Sequence, residues 1–167
     1  MQSTPSTKAA SGNQEELLQL VTFKVGDEQF GVDILNVQEI NRMMDLTQVP
    51  QSPPGVEGII NLRGRIIPVM SLRKRFGLTD VENSEQTRIV VVDVSGHTIG
   101  FIVDSVQEVL RIGSSTIEKT PPVSSGIDAT YISGIARLEN TLLILLDLHN
   151  LLPTETLNQV ANLNQAA

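Results

Sequence analysis

The chain repeats itself once. Val37-Gln38-Glu39 returns 69 residues later as Val106-Gln107-Glu108, each time six residues after a glycine, Gly31 or Gly100. The same spacing lays residues 20–25 on 89–94. Further on, Gly58-Ile59-Ile60-Asn61-Leu62 is matched by Gly134-Ile135-Ala136-Arg137-Leu138, and residues 65–72 by 141–148, now 76 positions apart. Order kept through both halves, with a longer loop in the second, is what duplication of a small unit leaves. Two units are too few for a solenoid. Each half instead holds about five strand-sized apolar runs, enough for a small closed barrel without exposed edges.

The material of those strands is aliphatic. Hydrophobic residues make up 40% of the 167, aromatics only 3%, so Val, Ile and Leu must fill the core. Branched side chains of this kind suit a pleated sheet better than a helix.

Turn residues punctuate the runs. Gly26-Asp27, Arg63-Gly64 and Glu139-Asn140 each separate two apolar stretches, which predicts three hairpins. Residues 88–94, 98–103 and 106–112 read as further strands, or strand plus short helix. Ile34, Val37, Ile40 and Met44 are spaced for one helical face, which predicts a helical segment over 34–43. Residues 72–76 predict a short helical turn stopped by Gly77. Pro68 has no N–H to donate and predicts a sheet edge or a bulge. The polar residues 1–15 predict a disordered arm and 153–167 a tail, loosely helical or frayed. The domain proper is 17–152, with halves of about 17–77 and 88–152.

Candidate chemistry is sparse. A net charge of −7 disfavours a phosphate backbone as partner. The basic residues Arg63, Arg65 and Arg73-Lys74-Arg75 are the exceptions, and the second run reads as a solvated face. With no cysteine, thiolate metal sites and disulfides are excluded. His97 and His149 stand alone, and Ser124 and Ser125 have no candidate base nearby. Neither a phosphate-binding glycine loop nor a Gly-X-Ser-X-Gly elbow occurs. No run approaches the roughly 18–20 apolar residues that span a bilayer, and no basic-then-apolar leader opens the chain. A soluble, cytoplasmic protein without catalytic site, cofactor or metal is the expectation.

The informative signal is where the halves differ. Arg63 faces Glu139 in the repeat and Asn61 faces Arg137, so charge is inverted beside the turn. Gly64 faces Asn140; both residue types tolerate positive φ, so the same turn geometry is expected twice. An exposed arginine can grip carboxylates and carbonyls and is favoured at interfaces. Glu39 and Glu108 are expected as polar positions beside an apolar face, with Val37, Ile40, Val106 and Val109 in the core or lining a groove between barrels.

Gly31-Val32-Asp33-Ile34 leading to Val37-Gln38-Glu39-Ile40, then Gly58-Ile59-Ile60-Asn61-Leu62-Arg63-Gly64 and Ile66-Ile67-Pro68-Val69, strongly resembles the CheW family of chemotaxis coupling proteins. The match continues through Gly100, Val103-Asp104, Val106 and Val109 to Gly134 and Leu138, covering about 17–152. The resemblance implies an all-β fold with short helices: two intertwined, pseudo-symmetric five-stranded SH3-like barrels. It implies a non-enzymatic adaptor joining the cytoplasmic tip of chemoreceptors to the regulatory domain of the histidine kinase CheA, with further copies of the family as possible ring partners. A related pathway driving pili or another output is the alternative. It places Val37, Glu39, Ile40, Gly58, Asn61, Arg63, Val106 and Val109 at or near partner-binding surfaces, recruited to the membrane through receptor arrays. One departure is Ser71, where the family usually has Asp; Ser still caps a helix start, but a carboxylate contact to a neighbouring Arg is expected to be lost.

Overall fold

A computed structural model describes residues 16–50, 55–118 and 129–151. The predicted disordered arm, the C-terminal tail and Ser124 and Ser125 lie outside them. In chain order the strands are β1 (Leu17–Val25), β2 (Glu28–Asp33), β3 (Val37–Arg42), β4 (Val56–Leu62) and β5 (Arg65–Ser71). Helix α1 (Leu72–Arg75) follows, then β6 (Arg88–Val94), β7 (His97–Val103), β8 (Ser105–Gly113) and β9 (Ile117–Glu118). Last come β10 (Ile132–Arg137), β11 (Leu142–Leu146) and helix α2 (Leu148–Leu151).

The two halves do not close separately. One sheet runs β8-β1-β2-β11-β10-β9 and the other β3-β6-β7-β5-β4. Each therefore takes its leading hairpin from one half and its remaining strands from the other. The exchange is symmetric: β3 lies antiparallel on β6 as β8 lies on β1, and β5 pairs parallel with β7 as β11 pairs with β2. The barrel that each half was expected to form alone is thus assembled by strand exchange, the intertwined arrangement implied by the family resemblance.

Exchange also explains the unbroken apolar runs, because central strands are buried on both faces. Along β6, Ile89 and Val91 enter one cluster with Ile60, Ile67 and Val69, while Val90, Val92 and Val94 enter another. Along β11, Leu143 and Leu145 join Leu20 and Ala136, and Ile144 and Leu146 turn the opposite way. The described residues form three cores: one inside each barrel, and a larger one between them that holds Phe23, Phe30, Phe76 and Phe101. The few aromatics are spent there, with Phe30 stacked between Phe23 and Phe76.

Closure explains three residues. The sheet of β8 closes when the chain turns through Ser114–Thr116 into β9, which pairs with β10. In the other barrel Thr47 does the same, exchanging two 2.9 Å hydrogen bonds with Ile59. Gly134 and Gly58 sit beneath these crossings. A Cβ on Gly134 would lie 2.5 Å from the Ile117 Cγ2, and one on Gly58 would lie 2.8 Å from the Thr47 carbonyl oxygen. The same crossing accommodates Pro68. Because Ile59 spends its backbone groups on Thr47, its pairing with Pro68 is of the non-hydrogen-bonded kind. The missing N–H of Pro68 thus faces β7, whose ladder starts only at Val69. Pro68 is inside a central strand, not at the edge or bulge its chemistry predicted.

The helix expected over 34–43 is not formed. A single 3₁₀ turn, Ile34–Asn36, is capped by Asp33 and gives way to β3. A bulge between Val37 and Glu39 inserts one residue, so the branched residues Val37 and Ile40 fall three apart while remaining in a strand. That spacing imitated a helical face. The bulge is repeated where β8 crosses β1. By contrast, α1 forms as expected: the Ser71 hydroxyl accepts from the Lys74 N–H at 3.3 Å, and Gly77 follows with φ of 77°.

Candidate functional site

Arg63 stands at the tip of the β4–β5 hairpin with φ of 52°, followed by Gly64 at 85°. Two successive positive values make a tight turn of the kind that matches strand twist, normally the province of Asn and Gly. An arginine there costs about 1–2 kcal/mol of backbone strain. The Asn61 carboxamide oxygen helps to hold it, accepting the Gly64 N–H at 2.9 Å. The guanidinium crosses to the Glu39 carboxylate on β3, while Arg65 reaches Thr98 Oγ1 at 2.8 Å and, more loosely, Gln38. These contacts bind the hairpin to the opposite edge of its own sheet and close one end of the barrel. Glu39 is mostly covered, but the Arg63 side chain is 74% exposed. Most of its hydrogen-bonding capacity faces outward.

The other barrel ends differently. Its corresponding positions hold Glu139 for Arg63 and Glu108 for Glu39, two acids that cannot pair. Neither Glu139 nor Asn140 has positive φ, so the turn expected to recur does not; the loop is closed instead by Leu138 N–H donating to the Thr141 carbonyl at 2.8 Å. Arg137, the counterpart of Asn61, pairs with Glu118, which lowers that carboxyl first through the hydrogen bond and then through charge.

The remaining candidate residues divide. Ile40 and Val109 are repeat equivalents on the edge strands β3 and β8, and both are exposed, at 39% and 51%. Val37 and Val106, also equivalents, pack against the core between the barrels. Gly58 is buried and offers no surface. Arg63, Asn61, Glu39 and Ile40 are thus grouped on one barrel, with Val106 and Val109 on β8 of the other.

One feature escaped sequence reasoning. Arg73 makes a two-pronged contact with Asp104, Nε to Oδ1 at 2.9 Å and a terminal nitrogen to Oδ2 at 2.8 Å, and Asp104 also accepts the Gly26 N–H at 2.8 Å. This ties the β1–β2 turn of one sheet to the helix that follows β5 of the other. Burial alone would raise the Asp104 carboxyl. The hydrogen bonds from Arg73 and Gly26 and the positive charges of Arg73 and Lys24 outweigh it and hold the group below the usual carboxylate range. Lys74 is engaged by Glu57 and Asp80, and Arg75 lies 5.6 Å from the centre of the Tyr131 ring. Arg73 and Arg75 are therefore internal clasps, while Lys74, 47% exposed, stays on the solvated face expected of the run. Asp104, which pairs with Arg73, and Tyr131, which lies under Arg75, are too far away in sequence to be visible there.

Among the described residues no helix is long and apolar enough to cross a membrane. Two strand-exchanged small barrels, one closed at its end by an Arg–Glu pair whose arginine faces solvent, define the class of the fold as a double small-barrel protein. Residues 19–156 match the model of the CheW-like domain. The chemotaxis protein CheW of Treponema pallidum is 38% identical over 153 residues, 89% of this chain and 90% of that protein. The Helicobacter pylori chemotaxis protein CheW is 34% identical, covering 90% and 91%. Among solved structures, the crystal structure of the scaffolding protein TtCheW from Thermoanaerobacter tengcongensis superposes with a TM-score of 0.77 at 39% identity, covering 84% of this chain and 96% of that one. The chain belongs to the CheW-like family.

Proposed function

We propose that the chain is a chemotaxis adaptor without catalytic activity of its own, joining chemoreceptor tips to the regulatory domain of the histidine kinase CheA. Family membership supports the adaptor role, and the names of its relatives favour chemotaxis over a pilus-driven output. The observation that carries the assignment of a surface is Arg63. It is a strained, mostly exposed arginine, present in one barrel and replaced by an acid in the other. A non-glycine residue held at positive φ on an exposed turn motivates a functional reading; among the described residues Ser95 shares that backbone, but only Arg63 adds an outward-facing charge to it. On this reading Arg63, Glu39 and the exposed Ile40 form the core of one partner surface, with Asn61 holding the turn. Val109 contributes to a second on β8, with Val106 and Val37 supporting from beneath. A receptor-tip helix would lay an apolar face along exposed β-branched residues of this kind. The protein would then be held at the inner face of the membrane by its partners.

A pull-down of purified chain with receptor cytoplasmic tips and with the kinase regulatory domain tests the proposal. Retention of both supports it; retention of neither overturns it.

A further inference from the structure

The barrel that lacks the Arg–Glu pair keeps only the deeper of the two bridges, Thr141 Oγ1 donating to the Gln29 side-chain oxygen at 3.2 Å and the Gln29 amide donating to Gln107, and is open where the Arg–Glu pair would lie. Between β8 and the β10–β11 hairpin lies a depression bordered by Glu108, Arg111, Arg137 and Glu139, with Leu110, Ile112 and Leu138 along it. Those three apolar side chains are half-buried against the barrel core, leaving part of each uncovered. Arg137 is taken by Glu118, whereas Glu108 and Glu139 have no ion-pair partner among the described residues; Arg111 borders the same groove and reaches neither. The repeat states what fits such a place. In the sister barrel the equivalent of Glu108 is Glu39, and it receives an arginine carried on a tight turn.

We propose that this groove receives an arginine-bearing tight turn of another protein. The incoming guanidinium lies between Glu108 and Glu139 as Arg63 lies on Glu39, and apolar residues beside it cover Leu110 and Leu138. Two carboxylates over an apolar floor complement a planar cation with a hydrophobic flank better than an ammonium or an acidic peptide. A second copy of the chain is the weaker source of that arginine, because its Arg63 is already held by its own Glu39. The proposal concerns the barrel opposite the Arg63 surface. Its test uses neither receptor nor kinase, so its failure would leave the coupling function untouched.

The probe is a backbone-cyclised peptide with the sequence of residues 60–67, titrated into isotopically labelled full-length chain and followed by amide chemical shifts. Saturable changes centred on Glu108, Leu110, Leu138 and Glu139 are expected. Affinity should fall at least tenfold in the double variant Glu108→Gln, Glu139→Gln, and equally for a peptide with both arginines replaced by glutamine. Glu139→Arg rebuilds the pairing of the sister barrel and should abolish binding while the spectrum stays folded. Absence of saturable shifts, shifts centred elsewhere, or equal binding of the arginine-free peptide would overturn the proposal. Self-association of the chain in sedimentation velocity that Glu139→Arg removes would also overturn it, assigning the groove to a second copy.

Discussion

Arg63 and Glu39 join opposite edges of one barrel through side chains alone, at positions where the sister barrel carries Glu139 and Glu108. A duplicated fold has thus kept its framework and parted at its surface. Glycines at the parallel crossings are kept, Gly31 beside Leu145 and Gly100 beside Val69. So are the bulges before Gly58 and Gly134. What changed is the charge at the hairpin ends, where no packing constrains it.

Arg63→Ala should therefore leave stability nearly intact. An exposed ion pair contributes about 0–1 kcal/mol, and for a chain of this size that shifts the melting temperature by no more than about 4 °C. Partner affinity should fall at least about tenfold, some 1.4 kcal/mol. Calorimetry beside a binding titration separates the two effects.

Gly58→Ala should behave in the opposite way. Its new Cβ would lie 2.8 Å from a backbone oxygen and 2.9 Å from the Leu46 Cβ, neither at the end of a flexible side chain. Overpacking of this kind costs about 1–3 kcal/mol. Urea denaturation should register that loss, and any weakening of binding should follow the unfolded fraction. Gly134→Ala should show the same sign.

Asp104→Asn tests the clasp. The folded carboxyl is held below its usual value, so its stabilisation is present at pH above the unfolded value of about 3.9 and is lost as pH falls through the folded one. The variant should lose about 1.5–3 kcal/mol at pH 7, the usual worth of hydrogen bonds to a charged group. The gap between variant and parent should narrow as the medium is acidified below about pH 4. Urea midpoints at pH 7 and pH 3 measure it.

Asn41→Leu should stabilise the protein. Among the described residues the Asn41 Nδ2 is buried without a hydrogen-bond partner, and its repeat equivalent is Leu110, which packs against the core of the sister barrel. Relieving an unsatisfied buried amide is worth about 1–2 kcal/mol, readable as a raised denaturation midpoint.

Much of the framework was legible because strands write their period and their turns into the chain. β6 spans the very residues its apolar run marked out, and the Ser71 cap and Gly77 stop bound α1 as their chemistry required. The repeat located equivalent strands before any geometry was known. It could not reveal exchange between halves, since a strand of a given pattern pairs equally well with either copy. β3 was misread as helical because a bulge is an extra residue, and one extra residue turns a period of two into a spacing of three. Arg63 was legible through its asymmetry. That Glu39 answers it, and that Arg73 answers Asp104, depended on contacts 24 and 31 residues apart, which no local pattern records.

The adaptor role is tested most directly by kinase activity in reconstituted assemblies of receptor tips, kinase and this chain. Receptor-dependent control of phosphorylation should appear only when the chain is added, and should be lost with Arg63→Ala at unchanged melting temperature. Control without the chain, or equal control by the variant, would contradict the account.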